Sequence, residues 1–75
     1  MDNGDLGLAS MHRIIKKAGA YRVSEGAAKE LSKSLEKIGI KIAMEAIDFT
    51  KHAGRKTVKE EDIEIAVKKV VRDSI

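Results

Sequence analysis

Between Glu25 and His52 the chain keeps apolar residues at helical spacing for longer than a protein of this size can cover by itself. Ala28, Leu31, Leu35, Ile38, Ile42 and Phe49 recur along one side of a single helix. Glu45 is the one polar residue entering that stripe, and Ala27, Ala43, Met44 and Ile47 widen it beyond a two-stranded coiled-coil seam. About 28 residues at 1.5 Å each make a rod of roughly 42 Å. The chain has 75 residues and no cysteine, so no disulfide can supplement a core that is marginal at this length. The expectation is a second chain that covers the rod. Gly39, which costs about 1 kcal/mol relative to alanine inside a helix, marks a candidate close helix crossing.

Both ends of the rod carry chemical punctuation. On the upstream side a first helix fits Leu8 to Ala18, with Met11, Ile14, Ile15 and Ala18 on one face, and Gly19 ends it. Arg22-Val23 is a short extended link, and Ser24 is a good N-cap. On the downstream side Gly54 can enter the left-handed region that closes a helix. Arg55 and Lys56 follow. Thr57 then stands three residues before Glu60, the spacing of a capping box, so a third helix is expected from Val58 to Val71 with Ile63, Ala66, Val67, Val70 and Val71 on its face. Proline is absent and Tyr21 and Phe49 are the only aromatic residues, which agrees with an all-α chain of short, long and short helices. Residues 1–6 have little to bury and are expected to be flexible. Residues 7–72 form the folded domain, and 73–75 are a C-terminal end without an assigned role.

The net charge of +3 is modest, but residues 11–24 and 51–59 each carry four basic side chains and no acid. Both segments lie around helix breaks, and the second sits beside a helix N-terminus, where free N–H groups favour anions. A polyanion is the expected partner. Other chemistry is sparse. His12 and His52 have no partner at metal-binding spacing, no nucleophile–base pair is present, and no glycine-rich phosphate loop occurs. No enzyme activity, cofactor, metal or small-molecule substrate is therefore expected. No apolar run is long enough to span a bilayer and no signal-peptide pattern is present, so the chain reads as soluble, cytoplasmic and not membrane-associated.

The short–long–short order, the basic breaks and the run His52-Ala53-Gly54-Arg55-Lys56-Thr57-Val58-Lys59-Glu60-Glu61-Asp62-Ile63 resemble the histone fold, and within it the tailless archaeal histones. Arg13-Ile14-Ile15-Lys16, Ala18 through Ser24, Ala43 through Ile47 and His52 through Val67 carry the likeness, which spans about residues 11–71. The resemblance implies an intertwined head-to-tail dimer whose long helices cross. Arg22-Val23-Ser24 of each chain would pair as a short parallel strand with Lys56-Thr57-Val58 of the other. It further implies double-stranded DNA as the partner, wrapped and compacted with little sequence preference, and a place on the chromosome or nucleoid.

Residue by residue, the family pattern puts Arg13 and Lys16 over the DNA backbone and Arg22 in an inward-facing minor groove. Ser24 and Thr57 match positions touching phosphate, flanked by Lys56 and Lys59. Arg55 and Asp62 match an intrachain clamp that holds the second loop against the third helix. Phe49, His52 and Asp62 match the contact through which dimers join into larger nucleosome-like complexes. His52 also suits a helix C-terminus simply as a dipole partner. Gly19 matches a small residue where successive turns of a wrapped filament approach, and equally a helix C-cap. The chain departs from the pattern in lacking a proline-containing lead-in, in Lys17 where an acid is frequent, and in Ile40 where a charged residue is common.

Two other readings compete. A histone-fold dimerisation subunit of a transcription or regulatory complex would not need the full set of basic surfaces. A sequence-specific helix-turn-helix regulator is disfavoured by the long central helix. Whether the dimer is a homodimer or pairs with a sibling histone is left open by the sequence.

Overall fold

The computed structural model describes residues 7–74, with side chains described through Arg72. The N-terminal segment 1–6 expected to be flexible, and Ile75 of the C-terminal end, lie outside these limits. Three helices follow in order: α1 (Leu8–Lys17), α2 (Glu25–His52) and α3 (Glu60–Ser74). No strand occurs among the described residues. The all-α, short–long–short expectation therefore holds.

The helix ends show why the boundaries fall where they do. α1 closes through Gly19, whose φ is 118°. The Gly19 N–H bonds the Lys16 carbonyl at 3.0 Å and the Ala20 N–H bonds the Ile15 carbonyl at 3.3 Å, the paired bonds of a Schellman motif. α2 closes in the same way through Gly54 at φ 72°: Gly54 N–H to the Lys51 carbonyl at 2.9 Å, and Arg55 N–H to the Thr50 carbonyl at 3.0 Å. Ser24 caps the start of α2, its Oγ accepting the Ala27 N–H at 3.0 Å.

α3 begins later than the spacing of Thr57 and Glu60 predicts. Those two residues fit a capping box, but the helix starts at Glu60 and its N-cap position is Lys59. The Asp62 carboxylate accepts the Lys59 N–H at 2.9 Å, the reciprocal half of a box shifted by two residues. Tertiary partners of Asp62, described below, decide between the two registers. Segments 22–24 and 57–59 stay outside any helix, as the links between elements require.

The chain divides between Lys37 and Ile38 into two compact units, and α2 contributes to both. In the first, Met11 of α1 and Ala28 and Ser32 of α2 are buried, with Ile15, Leu31 and Leu35 half-buried. In the second, α2 and α3 form an antiparallel hairpin. Thr50 Oγ1 reaches Asp62 Oδ2 at 2.8 Å close to the turn, and Lys69 Nζ reaches Glu45 Oε1 at 2.9 Å further along. Glu45, the polar residue in the apolar stripe, is thus the acceptor of a cross-helix ion pair. Small residues, Ala46 and Ala66, are fully buried here and let the two helices approach.

Much of the apolar stripe stays uncovered. Periodicity places Ile14, Ile38, Ile63 and Val71 inside, and all four are exposed. On α3 the row Asp62, Ala66 and Val70 is buried, while the neighbouring row Ile63 and Val71 faces out. α2 also exposes Ile40 at 53% and Met44 at 63% of their surface. A β-carbon added at Gly39 would meet nothing within 4 Å, so among the described residues no group makes the close approach expected there.

Replacement of Gly54 by alanine is expected to destabilise the fold by about 1–2 kcal/mol, the cost of a left-handed non-glycine residue. Gly26→Ala, in a helical position where an added β-carbon would make only an ordinary contact with Ser24 Oγ at 3.9 Å, should stabilise by up to about 1 kcal/mol. Chemical denaturation of both variants at one protein concentration checks the opposite signs.

Candidate nucleic-acid interface

Asp62, in the first turn of α3, anchors the second loop, residues 53–59. It is 2% exposed, yet carries a full set of donors. Arg55 spans it with both terminal nitrogens, Nη1 to Oδ2 and Nη2 to Oδ1, each at 3.0 Å. The Lys59 N–H and the Thr50 hydroxyl complete the shell at 2.9 and 2.8 Å. The Thr50 hydroxyl has a single proton, which it divides between Asp62 and the Ala46 carbonyl at 2.9 Å. Arg55 Nη1 also donates to the Thr57 carbonyl at 2.9 Å. One side chain from α2, two from the loop–α3 junction and two backbone groups thereby fix residues 55–59 in a single shape.

These contacts set the electrostatics of the loop. The Arg55 hydrogen bonds, then the Lys59 N–H and the Thr50 hydroxyl, hold the Asp62 carboxyl well below the usual carboxylate range, outweighing the opposing effect of desolvation. The same pairing raises the Arg55 guanidinium above its already high value. With Arg55 neutralised by Asp62, the positive charge left for a partner is that of Lys56 and Lys59. Both are exposed, and neither makes an ion pair among the described residues. Thr57 is exposed beside them.

The helix end itself is a poorer anion site than the sequence implies. Glu60, Glu61 and Asp62 occupy the first turn of α3 and offset the positive end of its dipole. Asp62 also takes the Lys59 N–H. Anion attraction here rests on the lysine side chains.

The first unit carries the other basic cluster. Arg13 and Lys16 are exposed on α1, three residues apart and so on neighbouring positions of one face, with exposed Lys17 alongside. Arg22 is exposed on the link that follows, its guanidinium carbon 5.7 Å from the centre of the Tyr21 ring. Ser24 is exposed too. Its oxygen accepts from Ala27, which leaves its own proton available to a phosphate oxygen. Gly19 follows the C-cap Ala18 and closes α1 in the left-handed region, with open space where a β-carbon would stand.

Of the residues expected between dimers, Phe49 is half-buried and His52 exposed. The His52 Nδ1–H donates to the Asp48 carbonyl at 2.8 Å, which orients the ring and leaves Nε2 open. The family pattern gives Asp62 to both that contact and the clamp. Asp62 is buried among its four donors, while Phe49 is half-buried and His52 exposed. Thr50 does not stand out in the sequence. Its only signal is a hydroxyl on a β-branched residue one turn before Gly54, at the edge of the apolar stripe. Among the described residues no group of three or more His, Cys, Asp or Glu could hold a metal, and no helix is long and apolar enough to cross a membrane.

Comparison with known proteins gives this geometry a context. Residues 5–67 match the model of a family described as histone-like transcription factor (CBF/NF-Y) and archaeal histone. An archaeal histone HAN1 subunit from Thermococcus zilligii is 53% identical over 64 residues, covering 85% of this chain and 96% of the relative. The probable archaeal histone 3 of Methanocaldococcus jannaschii is 50% identical over 64 residues, with the same coverage of each.

The depressed Asp62 carboxyl makes an acid-side prediction. A carboxyl held below its unfolded value of about 3.9 contributes stability that is complete above that value and declines as pH falls below it, because the unfolded chain then binds the extra proton. The melting temperature should fall below about pH 4. Asp62→Asn should start lower at neutral pH and show a shallower acid slope. Thermal melts of both proteins from neutral to acidic pH check this, and parallel curves would remove Asp62 from the acid response.

Proposed function

Because this chain belongs to the family of histone-like transcription factors and archaeal histones, we propose that it binds, wraps and compacts double-stranded DNA as a chromosome-associated histone dimer. The observation that carries the reading is the second loop: two exposed lysines without an ion pair among the described residues, displayed on a backbone tied down by Arg55, Asp62 and Thr50. A surface ordered beforehand meets phosphates without a further cost in chain entropy. Both relatives compared are named as histones, which favours this role over that of a transcription-complex subunit.

In the proposed dimer, residues 7–72 form the folded unit and the second chain, another copy or a sibling histone, covers the apolar rows left open at Ile38, Ile63 and Val71. The close approach at Gly39 is then made by the partner's long helix. Arg22-Val23-Ser24 and Lys56-Thr57-Val58 lie outside the helices, which suits the interchain strand pairing of the fold. Arg13 and Lys16 supply a central phosphate-facing surface, and Arg22, Ser24, Lys56, Thr57 and Lys59 supply the outer ones. Contacts of this kind position DNA through its backbone and groove width and read few bases. Gly19 leaves room for the next turn of a wrapped filament. Dimers join through Phe49, His52 and Asp62, the last of which also serves in the clamp that shapes the adjoining loop.

Joint replacement of Lys16, Arg22 and Lys56 by alanine tests the surface. The variant should keep its helical circular dichroism, and its affinity for mixed-sequence duplex should fall by more than about 100-fold at moderate salt. The slope of log K against log salt should shrink by about 0.9 for each phosphate no longer neutralised. Equal binding by the folded variant would remove the assigned surface. His52→Ala should leave the dimer intact and reduce assembly on DNA, read as a lower mass by analytical ultracentrifugation of the complexes.

A further inference from the structure

Tyr21 is the most exposed large apolar side chain described, with 86% of its surface open, and the assigned DNA contacts do not use it. It stands on a link of a few residues between two capped helices. Upstream the link is pinned by the Gly19 and Ala20 N–H bonds, and downstream by Ser24 capping Ala27. Its neighbour Arg22 lies over its ring, 5.7 Å from guanidinium carbon to ring centre, within range of a cation–π contact. Arg22 makes no ion pair among the described residues, and the nearby Glu25 carboxylate is paired with Lys29 at 3.7 Å.

How an arginine is held decides what it can still do. A carboxylate would fix the guanidinium, but it would cancel the charge and occupy the N–H edge that phosphates and groove acceptors use. An aromatic ring holds the same group by its face. The positive charge and all five N–H donors then stay available. Loop two (residues 53–59) pairs Arg55 with Asp62, and loop one (residues 18–24) instead sets the Arg22 guanidinium carbon 5.7 Å from the centre of the Tyr21 ring.

We propose that Tyr21 is a positioning residue for DNA binding: its ring pre-orients the Arg22 guanidinium, lowering the ordering cost of the contact without cancelling its charge. The proposal rests on the DNA-binding reading above and deepens it for the first loop. It commits to action through Arg22, not to a separate contact of the phenol with DNA.

The test is a double-mutant cycle on mixed-sequence duplex DNA with Tyr21→Ala, Arg22→Ala and the pair, alongside Tyr21→Phe and Tyr21→Glu. Tyr21→Ala should weaken binding by about 2- to 5-fold per loop, the range of an exposed cation–π contact, with the salt slope unchanged because Arg22 still neutralises its phosphate. Tyr21→Phe should bind as the parent does. Tyr21→Glu should lose affinity and also lower the salt slope. In the Arg22→Ala background the Tyr21→Ala change should have no further effect. Additive losses, or a Tyr21→Ala protein that binds as the parent does, would overturn the proposal. A second readout needs no DNA: NMR of the free protein should show the Arg22 side-chain protons shifted upfield by the ring in the parent and in Tyr21→Phe, and unshifted in Tyr21→Ala. Absence of that shift overturns the positioning role even if DNA binds. A parent chain that shows the shift yet fails to bind duplex at low salt overturns the DNA-binding reading and the role built on it, while the ring–guanidinium contact itself would stand.

Discussion

The convergence of four donors on one buried carboxylate organises this half of the molecule. Asp62 receives the forked guanidinium of Arg55, the hydroxyl of Thr50 and the backbone N–H of Lys59. Removing a carboxylate from water is costly, and the penalty is offset here only because every partner is in place. The geometry is consequently all-or-none. The end of α2, the path of the loop and the first residue of α3 are fixed by a single shell of contacts. If one donor left, the remaining groups would hold a buried charge with too few partners.

That arrangement separates two uses of positive charge. Arg55 is neutralised internally. Lys56 and Lys59, a few residues away, are left exposed and without ion pairs among the described residues. A loop with the same composition but no clamp would carry the same net charge on a wandering backbone. The useful property is charge at a fixed place, and it comes from pairing one cation so that its neighbours need not be paired.

The sequence is most legible where local chemistry decides the outcome. Gly19, Ser24 and Gly54 end and begin helices through bonds to residues within one turn, so their roles can be read from spacing alone. The family of the chain is readable for a related reason, since the run from His52 to Ile63 combines a helix end, a loop and a helix start in fixed order. The start of α3 is easily misplaced because Thr57–Glu60 fits the whole local rule, whereas Lys59–Asp62 fits only its second half, the carboxylate accepting the N-cap N–H. The choice between them is made by Arg55 and Thr50, which reach Asp62 through space. Thr50 is invisible for the same reason, its partner being twelve residues away. Periodicity also overstates burial. It identifies apolar faces correctly, but it cannot say whether Ile38, Ile63 and Val71 are covered by their own chain or by another.

On the proposed dimer, that uncovered surface would tie the amount of this protein to its survival. Beyond those three residues, Ile40, Met44 and Ile47 are also open on α2. On the proposed dimer such positions are hidden only while a second copy is bound, so the folded fraction follows concentration by mass action. A chain produced in excess of its partners would spend longer with these residues accessible, where proteases and chaperones recognise apolar segments. The DNA-bound population would be protected and the surplus removed. An incomplete core, which looks like a defect in a single copy, would then act as a built-in limit on dosage.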